Sequence, residues 1–315
     1  MFVINKIPFG KTTLLELRNN VTNEYATILP EIGARLHQIC LVCDNVLHPL
    51  LWAVKDEDEL HKEGIPQYMG ALLFPFVDRL ENGKYVFEEV EYTLPCNEEN
   101  HKNSLHGFMN NNIFQVLQLS ANQEQASAEL FYNYEGTFEG YPFSCTITVC
   151  YTLNAKGFDC STSVKNKSGG NMPIGMGWHP YFLLTENPSQ YEVSVPAMAS
   201  FIIREDYINT GKKVSFDKRA EFLKINNFAF NAYALNQVND STKTILRDKK
   251  NKTDITIESR GFPYLQLYVV AEKAIAIEPL TCMGNAFNNG IGLTILAPNE
   301  IMKNSFEVKL FPVDR

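Results

Sequence analysis

Hydrophobic and polar residues alternate along most of this chain in short runs that are rich in β-branched and aromatic residues. Runs of this kind are typical of β-strands that are buried on one face. The segments that we interpret as strand-forming are 12–20, 24–42, 128–136, 144–154, 159–167, 242–248, 253–259, 264–270, 274–279 and 307–313. Helical periodicity is scarce, and segment 56–64 is the best candidate for a short helix.

Turn-forming residues separate the strand-like runs, for example at 154–157 and 167–171. The pair Asn82-Gly83 predicts a tight β-hairpin. Many short strands at near-regular spacing predict a sandwich or a barrel. The chain has no internal repeat, no low-complexity segment and no linker rich in Pro, Gly or Ser. We therefore predict an all-β protein with one large antiparallel domain that spans residues 1–315.

The net charge of the chain argues against two classes of binding partner. The 315 residues carry a net charge of -8, with a pI of about 5.4. Nucleic acids and anionic membranes both require a basic face, so neither is an expected partner. No apolar run reaches the roughly 18 residues of a membrane span, and the first residues lack the layout of a secretory signal. Seven cysteines do not suggest a disulfide framework, and we expect a cytoplasmic protein.

Histidines are the first candidates for chemistry. His37 lies in an alternating apolar stretch, and His48 and His61 lie in polar surroundings. A lone histidine is more often packed or solvated than catalytic, and we interpret these three in that way. His106 and His179 have less ordinary neighbours.

Both of these histidines are flanked by residues with special backbone properties. His106 lies among turn formers in "NSLHGF", where Gly107 permits close approach of backbone or ligand. His179 follows Gly177 and precedes Pro180, which favours an extended residue with a well-aimed side chain. From context alone, a packing role and a functional role both remain open for each histidine.

Glu278 is a candidate general base because it ends the apolar run 274–277. A carboxylate there is costly unless it is paired or used, and partial desolvation raises its pKa toward neutral pH. We expect Pro279 to end the strand. The alternative is that Glu278 is an exposed residue at a strand end.

Arg79 follows the apolar run 72–76 and is a candidate for binding hydroxyl groups or a carboxylate with its planar fork of donors. The alternative is a surface ion pair with Asp78 or Glu81.

The sequence offers little support for a metal or a cofactor. Cys40 and Cys43 have zinc-like spacing but no second pair, and their apolar neighbours indicate buried strand cysteines. His101 and His106 lack the spacing of a recognised metal set. There is no glycine-rich phosphate loop, GxSxG or HExxH motif. We predict no metal and no cofactor.

Four stretches, taken in order, resemble the aldose 1-epimerase (galactose mutarotase) family. They are "FPFVDRLENGKY", "NSLHGF", "GMGWHPYF" and "IEPLTCMGNAFNNG", and together they span residues 74–290. The resemblance implies a large antiparallel β-sandwich of the galactose mutarotase type. It also implies a cofactor-independent isomerase that interconverts the α and β anomers of a free aldohexose.

The resemblance also implies a role for each candidate residue. Glu278 would take the proton from the C1 hydroxyl, and His179 would protonate the ring oxygen so that the ring opens. His106 and Arg79 would bind and orient the sugar. The nearest counterpart of a further sugar-binding aspartate of the galactose-specific branch is Asn231.

Departures from that branch leave the sugar open. Asp78 stands where an asparagine is common, and Pro279-Leu280 stands where Thr-Gln is common. One alternative is a related enzyme for a phosphorylated or otherwise modified sugar, with extra cations at the rim such as Lys84, Arg204 or Lys212. Another is a catalytically silent carbohydrate-binding protein. We expect a small-molecule sugar partner and a monomer or homodimer.

Overall fold

The computed structural model describes residues 1–98, 100–185, 187–218, 221–225, 230–270 and 273–313, apart from the side chain of residue 230. Its first fourteen strands are β1 (Phe2–Phe9), β2 (Thr12–Asn19), β3 (Tyr25–Leu29), β4 (Arg35–Cys43), β5 (Val46–Pro49), β6 (Ala71–Leu73), β7 (Arg79–Leu80), β8 (Lys84–Phe87), β9 (Val90–Thr93), β10 (Ser104–Leu105), β11 (Gln115–Ala121), β12 (Gln125–Tyr134), β13 (Cys145–Asn154) and β14 (Gly157–Asn166).

The next fourteen strands are β15 (Met172–Ile174), β16 (Gly177–His179), β17 (Tyr181–Leu183), β18 (Tyr191–Ser194), β19 (Ala197–Ile203), β20 (Asn209–Ser215), β21 (Leu223–Lys224), β22 (Phe230–Leu235), β23 (Ser241–Asp248), β24 (Thr253–Arg260), β25 (Tyr264–Val270), β26 (Ala274–Leu280), β27 (Thr294–Leu296) and β28 (Ile301–Pro312). Helical structure is limited to short pieces, which are α1 (Glu57–Glu59), α2 (Ala286–Asn289), a π-helical turn (Leu60–Gly64) and two 3₁₀ turns (Glu81–Gly83 and Pro188–Gln190).

Three larger antiparallel sheets form the framework. The first is the meander β1-β2-β3-β4-β5, and the second has nine strands in the order β11-β12-β13-β14-β28-β24-β23-β18-β21. The third has the order β20-β19-β22-β25-β26-β16-β6, with β17 also paired to β26. One hydrophobic cluster takes side chains from all three sheets, among them Leu17, Ile147 and Ile277. The antiparallel all-β prediction is therefore confirmed.

Local departures from the predicted strands have simple causes. The run 24–42 forms two strands because Pro30 lacks an amide proton and Gly33 has a φ of 70°, so the chain turns between β3 and β4. The hairpin prediction at Asn82-Gly83 is wrong. Both residues have positive φ and form a turn, but β7 pairs with β10 and β8 pairs with β9. The tight hairpin lies one strand later, where Glu88-Glu89 connects β8 to β9.

The predicted helix at 56–64 is present in a modified form. Asp56 caps α1 by accepting a hydrogen bond from the Glu59 amide at 2.9 Å, and the chain then continues as the π-helical turn. Cys40 and Cys43 are buried in β4, as the apolar pattern indicated. Within the described ranges, no helix has the length and apolar character needed to cross a membrane.

Candidate active site

Glu278 lies on β26, whose seven residues are all buried. Its side chain stands opposite Gln266 of β25 in the register. The neighbouring pair Leu267 and Ile277 points to the other face of the sheet and packs in the core. Glu278 is 2% exposed, so the alternative of an exposed strand end is wrong.

The expectation that Pro279 ends this strand is also wrong, because β26 continues to Leu280. The reason lies in the neighbouring strand. Ile277 donates its amide to the carbonyl of Pro180, at the interruption between β16 and β17. Pro279 has the same backbone orientation as Ile277, so its missing N–H faces this interruption, where the ladder requires no donor.

His179 is brought to Glu278 by close packing of its own strand on β26. A Cβ on Gly177 would lie 2.5 Å from Leu280 Cδ2, so a larger residue there would require the Leu280 side chain to move. Trp178 points into the core, and His179 points to the opposite side. His179 Nε2 lies 3.5 Å from Glu278 Oε1, and both side chains are buried.

His106 is held against Asp78 by the two-residue ladder of β7 and β10. The register pairs Leu105 with Arg79, so the next residues outward face each other. The Asp78 amide donates to His106 Nδ1 at 3.1 Å, and the His106 amide donates to the Asp78 carbonyl at 2.9 Å. Because Nδ1 accepts, the proton of the neutral ring is on Nε2. The His106 and His179 rings are perpendicular, with centroids 5.2 Å apart.

Arg79 is bound by two carboxylates rather than one. Its Nε and Nη2 donate to Glu98 at 3.0 and 2.7 Å, and its Nη1 donates to Asp78 at 2.9 Å. The guanidinium also lies 4.7 Å from the centroid of the Tyr207 ring. These side chains are largely buried, so the alternative of a surface ion pair is wrong.

These groups surround one cavity of about 470 Å³, a size suited to a small ligand. The structure thus brings four of the five predicted site residues together, namely Arg79, His106, His179 and Glu278. It adds polar and aromatic side chains that sequence reasoning missed, which include Gln67, Tyr68, Tyr207, Gln266 and Tyr268.

Asn231 does not lie in this cavity. It pairs with Leu267, and Leu267 pairs with Ile277, so Asn231 shares their face of the sheet. Its neighbour Ala232 is aligned with Gln266 and Glu278 on the cavity side. The structure therefore corrects the placement expected for Asn231, because strand pleating turns this residue away from the site.

Two of the missed residues could have been found from alternation. In the run "YLQLYVV", Leu265 and Leu267 belong to the core, so Gln266 and Tyr268 must share the opposite face. Gln266 is 2% exposed, and its Oε1 has no hydrogen-bond partner in the described part of the chain. A buried acceptor of this kind indicates a position where a ligand donor is useful.

Burial shifts the proton affinities of the central groups in opposite directions. It raises the pKa of Glu278 well above its ordinary value; nearby Asp78 raises this pKa further, and Arg79 lowers it. Burial lowers the pKa of His179 to about 3. The pKa of His106 is lowered well below its ordinary value by burial and by nearby His179 and Arg79. These shifts favour neutral imidazoles and a protonated Glu278 carboxyl group over a buried ion pair.

The same three side chains could also hold a cation. Ligand atoms of His106, His179 and Glu278 lie within 4.8 Å of one another, the one such group of three in the described ranges. Two imidazoles and a carboxylate are a common zinc ligand set. An ion there would occupy the atoms that proton transfer requires, so the two uses compete. The absence of a metal stays a prediction.

The three rim cations considered from the sequence lie elsewhere. Lys84 pairs with Glu91 at 3.1 Å, Arg204 pairs with Glu81 at 2.8 Å, and Lys212 lies on β20. None of the three cations lines the cavity as the described residues define it.

A model of the aldose 1-epimerase family matches residues 13–309. The chain therefore belongs to the aldose 1-epimerase family, and the resemblance drawn from its motifs is confirmed.

Similar proteins are found in bacteria and mammals. The uncharacterized protein YihR of Escherichia coli K12 is 27% identical over 73% of this chain and 75% of its own length. Galactose mutarotase of Rattus norvegicus is 29% identical over 46% of this chain and 42% of its own length. The match thus spans less than half of the rat enzyme.

Solved structures share the fold at low sequence identity. A galactose mutarotase-like protein from Clostridium acetobutylicum superimposes with a TM-score of 0.86 at 20% identity, over 99% of both chains. Galactose 1-epimerase from Lactobacillus acidophilus gives a TM-score of 0.80 at 17% identity, over 98% of this chain and 99% of its own.

Proposed function

We propose that this protein is an aldose 1-epimerase that interconverts the α and β anomers of a free aldohexose without a cofactor. The observation that carries the proposal is the buried pair of Glu278 Oε1 and His179 Nε2, 3.5 Å apart on the wall of a cavity of about 470 Å³. Ring opening requires one proton to leave the C1 hydroxyl and one to reach the ring oxygen. A carboxylate and an imidazole side by side match this requirement.

The roles follow from the chemistry of the two groups. Glu278, as carboxylate, takes the proton from the C1 hydroxyl, while His179, as imidazolium, gives a proton to the ring oxygen. The C1–O5 bond breaks, C1 becomes a carbonyl, and rotation about C1–C2 exposes its other face. Reclosure reverses both proton transfers and yields the other anomer.

The number of protons on the pair Glu278–His179 is compatible with these roles. Glu278 and His179 lie 3.5 Å apart, and burial raises the pKa of the carboxyl group and lowers that of the imidazole, so a single proton on the pair favours the carboxyl group. Transfer of that proton to His179 creates the reactive carboxylate and imidazolium. The positive charge of Arg79 lowers the pKa of Glu278 and also that of His179, so it favours the carboxylate and opposes the imidazolium.

The remaining polar groups orient the sugar. His106 is held with its Nε2 proton available as a donor, because its Nδ1 accepts from the Asp78 amide. Gln266 lies beside Glu278 and offers the acceptor Oε1 to a sugar hydroxyl. Arg79 lines the same wall and is held in place by Asp78 and Glu98. Fixed positions such as these lower the entropic cost of reaching the transition state.

Polarimetry of fresh α-glucose and α-galactose tests the proposal, with the uncatalysed rate subtracted. We expect the wild type to accelerate interconversion of at least one sugar. We expect Glu278→Gln and His179→Asn each to lower kcat by about 100- to 10,000-fold, the usual contribution of one acid or base. Asp254→Asn, which disrupts the Arg247–Asp254 pair outside the cavity, is the matched control.

Two results would contradict this function. Wild-type protein that binds a sugar in calorimetry and accelerates no anomerisation would be a carbohydrate-binding protein. Full activity in Glu278→Gln would remove the assigned base.

A further inference from the structure

The cavity wall carries more negative than positive charge around Arg79. Arg79 supplies the one guanidinium or ammonium group among the lining residues that the structure describes. Glu98 and Asp78 both bind it, at 2.7 and 2.9 Å. Two carboxylates therefore face a single cation.

The pairing is protected from solvent, which makes its charge effective. The side chains of Arg79, Asp78 and Glu98 are only 13%, 4% and 14% exposed. Charges in such positions are screened much less than surface charges. The Tyr207 ring also lies against the guanidinium.

Asp78 occupies the space that a side chain at position 284 would need. A Cβ on Gly284 would lie 2.4 Å from Asp78 Oδ2, so a larger residue there would displace this carboxylate. Glu98 comes from the segment before β10, and His101 of the same segment contacts Tyr207 with ring centroids 5.4 Å apart. The carboxylates thus belong to the built wall of the cavity.

We propose that Asp78 and Glu98 determine the charge selectivity of this site. They neutralise Arg79 and leave an excess negative charge on the wall, so the cavity accepts uncharged sugars and rejects sugars that carry a phosphate, sulfonate or carboxylate group. An anion buried there would meet two carboxylates instead of an available cation. This inference rests on the proposed function for its substrate class.

Three sugars of similar shape and different charge test the inference: glucose, glucose 6-phosphate and the ammonium form of glucosamine. The catalysed kcat/KM of each is measured in the wild type, Glu98→Gln and Asp78→Asn. We expect the wild type to prefer glucose over glucose 6-phosphate. Each variant should shift that ratio toward the phosphate by about tenfold, the size of one partly screened charge interaction. The ratio for glucosamine should shift in the opposite direction.

Matched controls distinguish an effect of charge from a loss of folding. Asp254→Asn removes a carboxylate from another bidentate arginine pair, outside the cavity, and should leave both ratios unchanged. Circular dichroism confirms folding, and the near-isosteric Asp78→Asn provides a second variant if Glu98→Gln does not fold.

Equal kcat/KM for glucose and glucose 6-phosphate in the wild type would overturn the inference, as would unchanged ratios in both folded variants. If no sugar is turned over, the proposed function fails, and dissociation constants of the same three sugars decide the selectivity. The order of affinities should match the order expected for kcat/KM. Failure of all three sugars to bind would also overturn the inference.

Discussion

A concavity larger than the cavity at Glu278 lacks the chemistry of that cavity. It measures about 950 Å³ and lies where the paths of β24 and β28 diverge, against about 470 Å³ for the cavity at Glu278. In the larger concavity, the charged side chains of Asp240, Arg260 and Lys303 are exposed to water. In the smaller cavity, His179 and Glu278 are 5% and 2% exposed.

The difference shows that burial of ionisable groups marks this site better than volume does. An exposed charge keeps its hydration and has little effect on a neighbour's proton affinity. A buried carboxyl and a buried imidazole alter each other and can exchange a proton over a short distance. The lining of the larger concavity includes small hydroxyl side chains such as Ser161, Ser163 and Ser305.

Among variants outside the pair Glu278–His179, the largest effect that sharpens this comparison is expected for Gln266→Met. The variant keeps the approximate volume and removes the buried acceptor beside Glu278. We expect KM to rise about tenfold, with kcat changed less than about threefold, because the lost hydrogen bond holds the sugar in ground and transition states alike. Initial-rate polarimetry over a range of sugar concentrations measures both constants.

A loss in kcat as large as that of His179→Asn would contradict the binding role of Gln266. Tyr268→Phe is a useful companion, since this residue shares the cavity face of β25. It retains the ring and removes only the hydroxyl.

The next prediction concerns pH. The proposed mechanism requires one proton on the pair Glu278–His179. With ordinary pKa values of 4.5 and 6.5, this state would be confined between those two pH values. Burial lowers the pKa of His179 to about 3, so the second proton binds only in stronger acid. Burial raises the pKa of Glu278, so the single proton is lost only at higher pH.

We therefore expect a broad plateau in kcat/KM that extends beyond both ordinary limits, with changes below about threefold between roughly pH 4.5 and 6.5. Rates at each pH need subtraction of uncatalysed mutarotation and a check of folding by circular dichroism. A narrow bell centred between pH 4.5 and 6.5 would show that the pair behaves as if it were exposed.

Much of the fold and four of the site residues could be predicted from sequence. Alternation reveals strands directly, and the ordered motifs around Arg79, His106, His179 and Glu278 indicated residues that the structure places on one cavity. The placement predicted for Asn231 was wrong because alternation within β22 does not reveal which face meets the cavity. That depends on the register with β25.

The binding of Arg79 by two carboxylates could not be predicted, for a related reason. Asp78 is adjacent in sequence, but Glu98 arrives from another segment through the pairing of β7 with β10. The local signal at Asn82-Gly83 favoured a hairpin that would have separated these strands. Long-range pairing overrode the local turn preference, and only the structure reveals the second carboxylate.

The smallest expected effect tests the comparison from the other side. Ser163→Ala and Lys303→Ala alter the larger concavity, where neither side chain contacts the buried acid–base pair. Both residues are at least partly exposed, and surface substitutions of this type change stability by less than about 0.5 kcal/mol. We expect kcat/KM within about twofold of the wild type, measured in the same polarimetric assay.

A tenfold loss in either variant, with an unchanged melting temperature, would mean that the larger concavity takes part in catalysis or sugar binding. Volume would then be as informative as burial in this fold. Unchanged rates beside the large losses expected for Glu278→Gln and His179→Asn would instead locate the reaction where two ionisable groups are buried together. The two sets of variants are therefore most informative when they are measured in one series.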